Sequence, residues 1–127
     1  MSYREPLPEG CPPSEATEIV NERVVFRLVA TNPPTGDDFR SQRAERPSAI
    51  FPAGISECLA RGLSVHSERK DSEKLRLLPR FKRRSLLCRI RLKAGAGRIQ
   101  QTFQPSHHTW WPLASFDIMA ECEIQIT

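Results

Sequence analysis

The sequence predicts an α+β domain with a mostly antiparallel sheet of about five strands and two or three short helices. Two segments alternate with period two. "SLLCRIRL" sets Leu86, Cys88, Ile90 and Leu92 against Ser85, Leu87, Arg89 and Arg91, and "FDIMAECEIQIT" alternates Phe116, Ile118, Ala120, Cys122, Ile124 and Ile126 with mostly polar residues. Such alternation marks a strand with one face in a core. A third segment, "RVVFRLVAT", carries Val24, Phe26 and Leu28 on one face and Val25 and Val29 on the other, as a strand covered on both sides does.

The remaining elements follow in chain order. Residues 1–13, rich in proline and polar groups, predict an extended arm ahead of a single domain over 14–127. Ser14 has N-cap chemistry with Glu15 and Glu18 in the first turns, so "SEATEIVNE" reads as a short helix. The first strand follows near 24–30. Residues 32–54 hold four prolines and two glycines and predict a long irregular loop, with one helical turn at "DDFRSQRA". A loop of this length inside a compact domain usually has a function.

"ISECLARGLSVHS" predicts a helix stopped by Gly62 and then a strand over 63–67. Ser67 or Asp71 can cap a helix through "SEKLRLLP", ended by Pro79. Further strands are expected at 85–92, 98–103 and 115–126, with "AGAG" as a turn and "QPSHHTWWP", 104–112, as a tryptophan-anchored loop at a sheet end. The core is expected to include Phe26, Leu28, Leu86, Ile90, Ile118 and Ile124.

A chain of 127 residues suits one domain with a core of its own. No window approaches the roughly 18 apolar residues of a membrane span, and the opening segment has no signal-peptide stretch. No membrane association and a cytoplasmic address are therefore expected. Cys11, Cys58, Cys88 and Cys122 lie far apart with no CxxC pair, so four reduced thiols and no disulfide are expected.

Charge is unevenly spread. Residues 69–93 carry eleven Lys or Arg against Asp71 and Glu73, whereas residues 1–60 hold six basic and nine acidic side chains. A basic sector of this kind attracts phosphates, whether of a nucleotide, a nucleic acid or another polyanion, or the carboxylates of an acidic protein.

Seven residues in four places stand out chemically. Arg27, in a two-sided apolar strand, buries a charge that must face an anion: an internal carboxylate such as Glu57, Glu121 or Glu123, or the phosphate or carboxylate of a ligand. Ser64 and His66 project from one face of their strand, close enough to touch one small ligand. The adjacent His107 and His108 have no place in a core pattern and suit ligand or proton chemistry near neutral pH. Neighbouring histidines rarely share a tetrahedral metal and no Cys or carboxylate stands beside them, so no metal is expected. Trp110 or Trp111 anchors the loop, and Trp110 is also a candidate ligand contact.

The stretches "FRLVATNPPTGDDFRS", "ECLARGLSVHSERKDSEKL" and "GAGRIQQTFQPSHHTWWPLASFDI" make nearly the whole chain resemble a family of small uncharacterised bacterial proteins. A weaker resemblance is to ADP-ribosyltransferase-like folds, through the apolar-x-Arg unit "VFR" at Arg27, "GLSVHS" with Ser64, a helix, and the strand "LLCRIRL". That resemblance implies NAD as a ligand, with Arg27 on its pyrophosphate or ribose and Ser64 with His66 supporting the nicotinamide pocket. It also implies a late catalytic residue, Glu121 or Glu123 of "AECEI", or His107 or His108.

Two functions are therefore set against each other. One is an NAD-type nucleotide-binding domain with ADP-ribosyltransferase-like features. The other is a nonenzymatic module that binds nucleic acid or an acidic protein through residues 69–93. Convergence of Arg27 and the histidines on one concavity favours the first; an Arg27 sealed by a carboxylate beside a continuous basic stripe favours the second.

Overall fold

The computed structural model describes residues 2–126. Seven strands form one antiparallel sheet: β1 (Thr17–Glu18), β2 (Arg23–Val29), β3 (Leu63–His66), β4 (Leu86–Leu92), β5 (Gly97–Gln101), β6 (His107–Pro112) and β7 (Cys122–Ile124), in the order β1-β5-β6-β3-β2-β4-β7. Three short helices accompany them, α1 (Gln42–Glu45), α2 (Glu57–Ala60) and α3 (Arg69–Leu75). The class is α+β as expected, with seven strands rather than about five. Among the described residues no helix is long and apolar enough to cross a membrane.

The best-paired strands are those with the clearest patterns. β2 and β4 run together over seven residue pairs, which sets Val25 opposite Ile90 and Arg27 opposite Cys88. Val25, Val29, Leu63, Val65, Cys88, Ile90, Ile99, Trp110 and Ile118 form the buried core on one face of the sheet. Burying such side chains contributes roughly 1.5–3 kcal/mol each before entropy is counted. α3 packs on the other face against β2 and β3, and this is why β2 is apolar on both sides. Of the expected core residues Leu28, Ile90 and Ile118 are buried, while Phe26, Leu86 and Ile124 are half-buried.

Several expected elements differ. "SEATEIVNE" is not a helix: Thr17 and Glu18 pair with Ile99 and Arg98 as edge strand β1, while Ala16 and Ile19 are buried. A nine-residue helix is marginal by itself, and β5 has a free edge whose pairing decides the matter. The expected strand over 115–126 is mostly turn and 3-10 helix (Met119–Glu121), and only Cys122–Ile124 pairs with β4. The Asp117 carboxylate accepts the Ala120 amide at 3.3 Å, a local bond that ends extended chain.

"HHTWW" is strand β6 rather than a loop, between β3 and β5. Both tryptophans are fully buried, Trp110 in the core with Nε1 on the Ala96 carbonyl and Trp111 on the opposite face with Nε1 on the Cys58 carbonyl. β5 enters at Gly97, where φ is +115° and a Cβ would lie 2.1 Å from the Trp111 carbonyl oxygen, so no side chain fits. Helix α3 starts after Glu68, with neither Ser67 nor Asp71 as its cap, and ends at Leu75.

The arm is fastened to the domain. Tyr3 bridges to Leu113, Arg4 donates its amide to the Pro112 carbonyl, and the Glu5 carboxylate accepts from the Ser41 amide at 2.9 Å. Cys11 and Cys58 form a disulfide, with Cα atoms 5.6 Å apart, which corrects the expectation of four reduced thiols. Cys88 and Cys122 are free.

Candidate functional site

The sheet has one weak seam. β3 matches β6 over four residue pairs and β2 matches β4 over seven, but β2 and β3 are in register only at Phe26 and His66. Beyond that pair the two strands part, and an open cleft of about 900 Å³ lies at the opening.

Arg27 spans the gap. Its Nη1 donates to the Ser64 carbonyl at 2.8 Å, its Nε to the Asp38 carbonyl at 3.0 Å and its Nη2 to the Arg40 carbonyl at 3.4 Å. The Ser64 carbonyl would otherwise await a ladder partner from β2, and the guanidinium supplies one. Burial, then the nearby Arg84, lower Arg27 to about 10, so it is cationic at neutral pH. The expected carboxylates are elsewhere: Glu57 pairs with Arg43 and Arg61, Glu121 pairs with Lys93 and Arg91, and Glu123 is exposed on the edge strand β7. Neutral carbonyls hold Arg27, and no carboxylate bonds it directly, although Glu45 and Asp38 lie near enough to favour its charge.

The loop over the seam is fixed by Asp38. Its carboxylate accepts from the Ala30 amide at 2.7 Å, the Thr31 hydroxyl at 2.6 Å and the Thr35 amide at 2.9 Å. Burial alone would raise this carboxyl, but those three bonds outweigh it and hold it below the usual range. The loop then starts α1 at Ser41, whose side chain caps the Ala44 amide, and brings Arg40, Glu45 and Arg46 to the cleft.

The sheet side of the cleft presents Ser64, His66 and His107. His66 and His107 are directly opposed on β3 and β6, with ring centroids 5.5 Å apart and planes at 80°. Each ring uses Nδ1 internally, His66 with the buried Ser72 hydroxyl and His107 with Thr102, both at 2.9 Å. That orients Nε2 outward. Burial pushes His107 down to about 4, helped by the neighbouring His66, and burial lowers His66 as well. Both are neutral imidazoles at pH 7, suited to accept or donate one hydrogen bond without carrying charge.

The other predicted site residues lie elsewhere. His108 alternates to the far face of β6 and bonds the Ser106 carbonyl through Nδ1 at 2.9 Å. Trp110 is at the centre of the core, edge-on to Phe116, and cannot touch a ligand in the cleft. Glu121 and Glu123 belong to the β7 end, beyond β4. The carboxylate at the cleft is Glu45, which sequence reading passed over, and it pairs with Arg84 at 2.6 Å.

Also missed were Arg40, Arg46, Phe81, Phe103 and Gln104, which line the cleft with Arg80 and Arg83 of the expected basic sector. Their signals were regional: the long loop 32–54 and the basic sector 69–93. That sector is not a continuous stripe, since Arg69, Lys74, Arg91 and Lys93 are paired with carboxylates and only its middle faces the cleft. Among the described residues no group of His, Cys, Asp and Glu is placed to hold a metal. Comparison with family models, curated proteins and solved structures finds no significant match, so the geometry alone carries the functional argument.

Proposed function

We propose that the cleft at the β2–β3 seam binds a phosphate-bearing nucleotide of the NAD type. The observation that carries this reading is the convergence of Arg27, Ser64, His66 and His107 on one concavity, with Arg27 hydrogen-bonded to main-chain carbonyls and the cleft's carboxylate, Glu45, paired with Arg84. A guanidinium with free N–H groups at the edge of an open cleft suits a phosphate oxygen, and Arg83 adds charge beside it. A volume of about 900 Å³ has room for a dinucleotide. The neutral Nε2 atoms of His66 and His107 would meet a ribose hydroxyl or a carboxamide.

This arrangement fits the resemblance to ADP-ribosyltransferase-like folds, in which Arg27 would take the pyrophosphate or ribose and Ser64 with His66 the nicotinamide end. Glu121 and Glu123 do not reach the cleft, so the reading is one of binding rather than of transfer.

The test is a thermal-shift and calorimetric titration with NAD, ADP-ribose and ATP. A ligand at a hundredfold its Kd adds about 2.7 kcal/mol, which is about 10 °C for a chain of this size. Arg83→Gln and His107→Gln should each weaken binding at least fivefold while the unliganded protein stays folded. Absence of any shift with all three ligands at millimolar concentration overturns the reading.

A further inference from the structure

We infer that the rim of the cleft takes single-stranded nucleic acid, a macromolecular ligand beyond the nucleotide proposed for its floor. Two independent features of the rim point there. The first is charge: Arg40, Arg46, Arg80 and Arg83 line the cleft with no carboxylate paired to any of them among the described residues, and of the cleft's exposed or half-buried arginines only Arg84 has one, Glu45. Arg80 and Arg83 lie exposed on the segment after α3, and Arg40 and Arg46 lie exposed on the loop facing it. Cations on both banks of a groove fit an anion with charges spread along its length, as a nucleic-acid backbone has them.

The second feature is aromatic. Phe103 is the one described residue other than glycine with positive φ, at 62°. A bulky side chain is disfavoured in this conformation, and glycine or asparagine is the usual occupant. The strain is not offset by burial, because Phe103 is 64% exposed, its ring 5.3 Å from that of His107 at the cleft mouth. On the segment after α3 the half-buried Phe81, which also lines the cleft, has the Arg80 guanidinium 5.3 Å from its ring. An exposed ring and a half-buried one set among unpaired guanidiniums form stacking platforms along a phosphate track, the arrangement by which proteins hold unpaired bases. A duplex keeps its bases stacked inside and could use only the charge.

Leu77, 85% exposed, and Leu78 lie beside this segment and would also suit an anionic lipid surface. The concave shape and the aromatic at the mouth favour the strand, and the lipid becomes an outcome of the test.

The experiment is fluorescence anisotropy with a labelled 12-nucleotide oligouridylate, the same-length RNA duplex, and vesicles of phosphatidylcholine with one-third phosphatidylserine. The single strand should bind at least tenfold more tightly than the duplex, with a log–log salt slope of about −3 if four or five phosphates are contacted. Phe103→Ala should lower single-strand affinity roughly tenfold at unchanged slope, because stacking carries no counterion release. Arg83→Gln should flatten the slope by about 0.7. Both positions are exposed, and both variants should melt within about 2 °C of the parent.

No strand binding at low salt, equal affinity for strand and duplex with Phe103→Ala silent, or binding to the vesicles but not to the strand would each overturn the proposal. NAD titrated in parallel separates this inference from the nucleotide reading. Strand binding without NAD binding upholds the rim and removes the floor, whereas NAD binding without strand binding removes the rim and leaves the floor.

Discussion

Arg27 donates to the main-chain carbonyl of Ser64 at 2.8 Å, so a side chain completes the sheet where the β2 backbone has turned away from β3. The opening of the cleft and its charge thus share one cause. A β2 paired with β3 along its whole length would bury the Ser64 carbonyl in a ladder and leave neither a gap nor a guanidinium at its edge.

Arg27→Ala should therefore be costly to the fold as well as to any ligand. It leaves the carbonyls of Ser64, Asp38 and Arg40 without their donor, a loss on the order of 3 kcal/mol for bonds from a charged group. Arg27→Lys keeps the charge but cannot reach three carbonyls in a fork, and it should recover less than half of that. Urea unfolding of the two variants beside Arg83→Gln measures this. Equal midpoints for all three would mean that Arg27 is not the splint of the seam.

The disulfide should be visible without any reductant. Alkylation in denaturant should modify two thiols, Cys88 and Cys122, out of the four cysteines of the chain. The bridge closes a loop of 47 residues, for which the chain-entropy relation gives about 4 kcal/mol. Cys11→Ser should lower the melting temperature accordingly and raise hydrogen exchange over residues 36–46, where Glu5 of the arm holds Ser41. Such a bond persists in oxidising compartments and opens in a reducing one, which weighs against the cytoplasmic address expected from the sequence. Four alkylated thiols from protein made in an oxidising compartment would remove the bridge from the native fold.

Sequence reading recovered what local patterning controls. β4 was legible because Leu86, Cys88, Ile90 and Leu92 keep strict alternation, and β2 because its valines fall on both faces. Arg27 was legible as a misfit among them, though not its partners, since main-chain carbonyls of a loop leave no trace in residue types. Phe116 and Ile118 kept the spacing of a strand while lying in a turn that wraps onto the core; period two does not tell these apart. The tryptophans concealed β6 because both its faces are buried, and alternation disappears when nothing on a strand is exposed. The cleft was legible in part: Ser64, His66 and His107 share it, but the arginines come from two segments about 40 residues apart that only the tertiary fold brings together.

Trp110 separates packing from binding. It is completely buried, with Nε1 donating to the Ala96 carbonyl at 2.9 Å and its ring against Phe116. Trp110→Phe should cost about 2–3 kcal/mol through lost volume and the loss of one of the two hydrogen bonds to the Ala96 carbonyl, which keeps the Leu113 amide. It should leave the affinity for any cleft ligand unchanged once the fraction folded is accounted for. Denaturant unfolding and a ligand titration on the same variant give the two numbers, and a loss of affinity with unchanged stability would restore Trp110 to the binding site.

The histidine pair sets the acid side of the stability profile. Burial lowers His107 to about 4 and lowers His66 in the same direction, whereas in the unfolded chain both titrate near 6.5. Above that value both states are neutral and the full stability is present. As pH falls through 6.5 the unfolded chain takes up protons that the folded one refuses, so stability declines, until near pH 4 the folded His107 also protonates and its share of the loss levels off. With an allowance for partial exposure, that share is on the order of 2 kcal/mol. His107→Gln keeps a group able to bond Thr102 and removes the titration, so its stability between pH 7 and pH 4.5 should decline less than the parent's by that amount. A ligand that occupies the cleft by hydrogen-bonding the neutral Nε2 should keep its affinity for the folded parent down to about pH 4.5 and lose it only as pH falls through about 4, where the folded His107 protonates, a loss absent in the variant. Parallel pH profiles for the two proteins would show that His107 is solvated and ordinary, and would take it out of the cleft's chemistry.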